Sequence, residues 1–129
     1  LRRPREADRT RRHQARQRLA AAGIRTTAWA NAPGDRYAPH AHDYDKVLVA
    51  VQGSITFRLT AQDETYGLVA GDRLDLPAGT IHAADVGPLG VRCLEGHLPA
   101  GSLHPRPVRV ADWATASPWG TDDGNRPGP

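Results

Sequence analysis

The sequence predicts an all-β domain, a double-sheet jelly roll or small barrel, with one helix ahead of it. Three observations predict it. From Ile24 onward, short runs of alternating apolar and polar residues recur at close intervals, with Gly- or Asp-rich breaks between them. Gly 13 and Pro 11 in 129 residues supply the turns that many short strands need. No helical periodicity separates the runs, which excludes the crossover helices of an α/β sheet. A chain of this length has room for one core. With one Phe and no Met, that core is built from Val, Leu, Ile and Ala.

The first element, over residues 5–22, reads as a helix. Pro4 is tolerated at its start, Ala15, Leu19 and Ala22 lie at helical spacing, and Gly23 is placed to cap its end. Its apolar face is thin, so it rests on the body or on a second subunit, and a homodimer is expected. Charge is concentrated here. Residues 1–25 hold nine arginines against Glu6 and Asp8, 9 − 2 = +7, while the remainder holds eight basic and twelve acidic residues, 8 − 12 = −4. Without interleaved aromatics, the arginines read as a solvated or interface face rather than a nucleic-acid surface.

Strands are expected at 24–30, 36–42, 46–52, 54–60, 65–69, 73–76, 80–85 and 90–97. Gln52-Gly53 reads as a hairpin turn between Val47–Val51 and Ser54–Thr60, and in the latter run Ile55, Phe57 and Leu59 alternate with polar residues. Asp63-Glu64 marks a further turn. Three segments follow: a basic helix or arm at 1–23, the β-domain at 24–98, and a Pro/Gly-rich segment at 99–129. A short strand near 107–110 fits that last segment, Trp113 and Trp119 are placed to pin it, and its end is expected to be mobile. The one cysteine, Cys93, forms no internal disulfide, and no apolar run is long enough to span a membrane, so the expected location is the cytoplasm.

Two stretches carry chemistry. Gly34–Gly53 sets His40 and His42 two residues apart, on one face if the segment is a strand. Gly71–His82 adds a third histidine after the Pro77-Ala78-Gly79 turn. Neutral imidazoles converging from two segments suit zinc, iron, nickel or copper. The spacing of both stretches resembles the cupin superfamily. Its first motif, Gly, five residues, His-x-His, three or four residues, Glu, six residues, Gly, is met by Gly34, His40, His42 and Gly53, with Lys46 where glutamate is expected. Its second, Gly, five residues, Pro-x-Gly, two residues, His, three residues, Asn, is met by Gly71, Pro77, Gly79 and His82, with Val86 where asparagine is expected. The resemblance covers residues 34–86 and implies a jelly-roll β-barrel with one divalent transition metal (Fe, Zn, Ni, Cu or Mn) on His40, His42 and His82. It says little about function, because cupins include dioxygenases, isomerases, epimerases, storage proteins and sensing domains.

Lys46 is the departure that matters, and it is the only lysine beside sixteen arginines. An ammonium about 5 Å from a divalent cation is repelled by roughly 6–7 kcal/mol at an effective dielectric of ~20. Three arrangements avoid this. Lys46 swings away to pair with Asp43, Asp45 or Glu95 and leaves a three-histidine site. It is a neutral amine that serves as base or fourth ligand. Or the pocket holds no metal and Lys46 binds an anion. Some thiol and diketone dioxygenases among the cupins hold iron with three histidines and no glutamate, which the first arrangement resembles.

Around these, Tyr37 and Tyr44 flank the first histidine pair and are candidates for orienting a substrate or ligand. Cys93, Glu95 and His97 share one strand parity and are candidate pocket residues, Glu95 as a partner to a ligating group or an acid/base, while Cys93 reads equally as a buried thiol. The functional expectation is a small metalloenzyme, of oxygenase or isomerase type, acting on a small anionic substrate. Its metal would polarise a chelated oxygen while Lys46 or Glu95 moves a proton. The alternative is a non-catalytic module that binds or senses a small metabolite, and a third possibility is a structural dimer presenting the arginine helix.

Overall fold

The computed structural model describes residues 4–114. The expected mobile end and Trp119 lie outside the described residues. The elements run α1 (Pro4–Ala21), β1 (Thr27–Asn31), β2 (Arg36–His40), β3 (Asp45–Leu59), β4 (Glu64–Val69), β5 (Arg73–Leu76), β6 (His82–Leu98) and β7 (Val108–Val110). Helix α1 ends in a Schellman cap: Gly23, at φ 80°, donates to Ala20 O, and Ile24 donates back to Leu19 O at 2.9 Å. Ile24 thereby leaves the expected first strand, which starts at Thr27, and packs with Leu19 under the helix. No helix among the described residues is long and apolar enough to cross a membrane.

Antiparallel pairing of β3 with β6 is the spine. In its first half, β3 pairs with β6 from Asp45↔Leu98 to Gly53↔Val91, and β1, β5 and β7 extend that half at its two edges. In its second half, Ile55–Arg58 pairs with Val86–Ala83, flanked by β2 on β6 and by β4 on β3. The two halves fold over one another as a β-sandwich, and the buried faces between them form the main core: Leu48 and Ala50 against Ile55, Phe57 and Leu59, with Leu68, Leu74, Val91 and Cys93. The alternate residues Val47, Val49 and Val51 point outward and form a second cluster with Ala15 and Leu19 of α1, Leu94 and Ala114. Trp113 packs against that cluster, with the guanidiniums of Arg18 and Arg73 over its ring at 4.2 and 4.9 Å, and Arg18 also donates to its carbonyl.

Two expected breaks are not breaks. Gln52-Gly53 is a bend within one 15-residue strand, β3, and not a hairpin. Likewise the expected strands 80–85 and 90–97 are one strand, β6. The cause is a bulge that serves both strands: between Gly53↔Val91 and Ile55↔Val86, residues 87–90 of β6 stand opposite Ser54 alone. Gly53 (φ 76°) and Gly90 (φ 80°) absorb the bend, and a Cβ on Gly53 would fall 2.0 Å from Gly90 O. Strand β2 also stops at His40, two residues before the expected end.

Replacing Gly34 by Ala should cost about 1–2 kcal/mol, the strain of a left-handed residue, because its Cβ meets nothing within 4 Å. Gly53→Ala should cost distinctly more, since backbone blocks it. Urea midpoints of the two variants measure this, and equal midpoints would contradict the bulge geometry.

Candidate metal centre

Three backbone devices bring the histidines together. His40 ends β2 directly opposite His82, which begins β6. The Pro77–Thr80 turn closes through Thr80 N–H and Oγ1–H to Pro77 O at 3.2 and 2.8 Å. That turn is then stapled to the first histidine segment, because Gly79 N–H donates to His42 O at 2.8 Å and Ala78 N–H to Asp45 Oδ1 at 2.8 Å. Asp45, 1% exposed, also accepts from Leu103 N–H at 2.7 Å. Burial raises its carboxyl pKa, yet hydrogen bonds from Ala78, Leu103, Gly101 and Ser102 hold it below the usual 3.8.

His42 lies past the end of β2, so it does not share a strand face with His40 as the spacing predicts; the rings meet because the chain turns. Ring centroids are 4.9 Å apart for His40–His42, 4.4 Å for His40–His82 and 5.4 Å for His42–His82. One ligating atom from each lies within 4.8 Å of the others, so the group can hold a metal. A tetrahedral site with Zn–N bonds of about 2.0–2.1 Å has nitrogens roughly 3.4 Å apart, a contraction that small side-chain rotations supply. Two rings are already oriented for it. His40 Nδ1–H donates to Ala38 O at 2.7 Å and His82 Nδ1–H to Thr80 O at 2.9 Å, which leaves both Nε2 lone pairs free. Burial, with smaller contributions from His40, Lys46 and His42, lowers the His82 pKa to about 4, so its ring is neutral and ligand-competent. The His42 pKa is also lowered, by burial first and then by Lys46.

Lys46 points inward. Its Nζ lies 3.4 Å from Glu95 Oε1 and 3.3 Å from His42 Nε2. Glu95 is further fixed by Trp29 Nε1–H to Oε1 at 2.9 Å and by His97 Nε2 at 2.5 Å from Oε2. Burial raises the Glu95 pKa, but the His97 hydrogen bond, Lys46 and Trp29 together hold it below its usual value, as a carboxylate. Tyr44 stacks between His42 and His97, at 4.8 and 4.0 Å. Tyr37 Oη–H donates to Asn31 Oδ1 at 2.6 Å.

The three histidines, Tyr37, Tyr44, Lys46 and Glu95 line one end of a cavity of about 310 Å³. The other walls are Leu48, Ile55, Phe57, Ala84 and Trp29. Sequence reasoning missed these apolar walls, although parity points to several: Leu48 follows Lys46 by two, and Ala84 follows His82 by two. Two expected pocket residues are not on the wall. Cys93 is fully buried in the main core, where burial pushes its thiol to about 12, and His97 backs Glu95 without lining the cavity.

No family model matches the sequence, and no curated protein does. Solved structures do match. The chain is similar to YhaK from Escherichia coli (18% identity, TM-score 0.56, covering 67% of this chain and 40% of YhaK). It is similar to a cupin superfamily protein from Desulfitobacterium hafniense (24% identity, TM-score 0.52, 59% of this chain and 67% of that one). The fold is that of the cupins. A third similar structure is ToxT from Vibrio cholerae, solved with an unsaturated fatty acid bound (12% identity, TM-score 0.51, 58% of this chain and 29% of ToxT). The cupin fold thus accounts for the all-β core.

Asp45→Asn keeps the shape but weakens the staple, and should cost about 1–3 kcal/mol. Because the Asp45 pKa is depressed on folding, its contribution is present above pH 3.8 and fades as pH falls through the lower folded value. Chemical denaturation from pH 7 down to pH 3 should therefore show the gap between wild type and Asp45→Asn narrowing at the acid end. A gap independent of pH would contradict this role.

Proposed function

We propose that this protein binds one divalent transition metal through His40, His42 and His82 and acts as a small metalloenzyme, of oxygenase or isomerase type, on a small anionic substrate. The observation that carries this is the meeting of three imidazoles at one end of an apolar cavity, two of them with their Nδ1–H already committed to backbone carbonyls. An all-nitrogen donor set favours iron, zinc, nickel or copper over manganese. When bound, the metal supplies Lewis-acid polarisation of a chelated oxygen and leaves positions open for it.

The chain's own residues supply the rest. His42 Nε2 has one lone pair and cannot both accept from Lys46 and bind a cation through it. Ligation through that atom therefore requires the Lys46 amine to give up His42 for Glu95, whose Oε1 is 3.4 Å away. This is the first of the three arrangements open to Lys46, with the Lys46–Glu95 pair as the candidate proton-handling group beside the substrate. Glu95 places Lys46, while Trp29 and His97 place Glu95.

One observation favours a second reading, a binding or sensing module without catalysis. Both Glu95 oxygens are engaged, by Trp29, Lys46 and His97, and a carboxylate so occupied is a poor base. ToxT, with its bound fatty acid, is a cupin-fold neighbour that holds a small molecule. A homodimer belongs to the same proposal, supported by β1, which among the described residues ends the strand order and leaves its outer edge open to a second copy. So does a cytoplasmic place, supported by the buried, unpaired Cys93.

Protein purified without chelator should carry close to one metal per chain, and His42→Ala should carry far less; equal and negligible metal in both would remove the claim. Lys46→Gln removes a repelling charge and should bind zinc at least tenfold more tightly in competition with a chromophoric chelator. Unchanged or weaker binding would contradict the placement of Lys46 beside the metal. Oxygen uptake with thiols, diketones and sugar acids separates the two readings: turnover of any supports the enzyme, and silence across the panel favours the binder.

A further inference from the structure

The cavity specifies more than a negative charge. Lys46 has three N–H donors and two partners, His42 Nε2 and Glu95 Oε1. Its side chain is 11% exposed and lines the cavity, so a third donor is available to a ligand there. Glu95 offers no counterpart, because Oε1 already accepts from Trp29 and Lys46 and Oε2 lies against His97. Tyr37 spends its hydroxyl proton on Asn31. A cationic ligand would find no free carboxylate here, whereas an oxyanion finds an ammonium with a donor to spare. Beyond Lys46, Glu95, the two tyrosines and the three histidines, the wall is apolar. Leu48, Ile55, Phe57 and Ala84 come from both long strands and have no polar side-chain atom, and the indole face of Trp29 adds a flat surface. At about 310 Å³ the cavity is at the lower end of small-molecule sites.

We infer that the ligand of this site is a small monocarboxylate with a flat apolar body, its head on the third Lys46 donor and its body on the Phe57–Ile55 wall. This deepens the proposed function by naming the ligand class of the same cavity, but it rests on Lys46 and the apolar wall and not on the metal. A hydrophilic anion would leave the apolar wall in contact with water, and a neutral aromatic would leave the Lys46 donor unmet; each forfeits one half of the recognition.

Three probes separate the halves. Benzoate has both features, acetate lacks the body, and benzamide lacks the charge. Calorimetric titration of the full chain, once treated with chelator and once loaded with zinc, should give benzoate at least tenfold tighter than acetate or benzamide in the chelator-treated protein. Lys46→Met should weaken benzoate at least tenfold and leave benzamide unchanged. Since that variant leaves Glu95 without its cation, the double variant Lys46→Met/Glu95→Gln, which strands no charge, is measured beside it and should behave the same way. Equal affinity for benzoate and benzamide, or benzoate binding that survives in the double variant, overturns the inference. Benzoate binding that needs zinc and ignores Lys46 overturns it while leaving the metal proposal standing. Benzoate binding through Lys46 in protein that takes up no zinc does the reverse.

Discussion

The antiparallel pairing of β3 with β6 sets the frame around which the cavity forms. Lys46 and Leu48 leave β3 toward the interior, opposite His97 and Glu95 on β6. Farther along the same two strands, past the bulge, Phe57 pairs with Ala84, two residues from His82. The cavity thus lies between two halves of one strand pair folded over on itself, with Lys46, Leu48 and Glu95 on one and Phe57, Ala84 and His82 on the other. The fold-over depends on two glycines whose backbones approach too closely for any side chain. Had the chain turned back at Gly53 as a hairpin, Lys46 and Phe57 would sit on neighbouring strands of one sheet instead of facing across a pocket.

Within that frame Lys46 pairs with Glu95. A buried carboxylate and a buried ammonium each cost several kcal/mol to remove from water, and the cost is recovered only where their remaining hydrogen-bonding atoms are met. Glu95 satisfies that condition through Trp29 and His97. Lys46 satisfies it in part, with one partner that a metal would take and one that it would leave. On the proposed function, affinity for a cation and affinity for an anion would be coupled through this one side chain.

Much of this was legible in the residues. The alternation of Ile55, Phe57 and Leu59 gave a half-buried strand, Gly23 gave the helix end, and the Pro77-Ala78-Gly79 turn marked the return to His82. What was not legible has a common cause. A glycine with positive φ serves a hairpin turn and a bulge equally well, and only the partner strand decides between them. The same limit applies to His42: alternate spacing places two rings on one face only while the strand continues, and β2 ends at His40. Strand parity was right that Cys93 points inward, but parity does not distinguish a cavity wall from a filled core. Glu95 was legible as inward-facing; that Trp29 would reach it from β1 depended on register that no local pattern encodes.

The central physical claim is that three imidazoles share one point, with His40 and His82 already held as Nδ1–H tautomers. Long-range ¹H–¹⁵N correlation of the histidine rings during a zinc titration tests it most directly. The account predicts Nδ1–H tautomers for His40 and His82 in metal-free protein, and a concerted change in the His40, His42 and His82 rings that is complete at one equivalent. Rings that titrate separately, or that do not respond while His13 or His104 does, would contradict it.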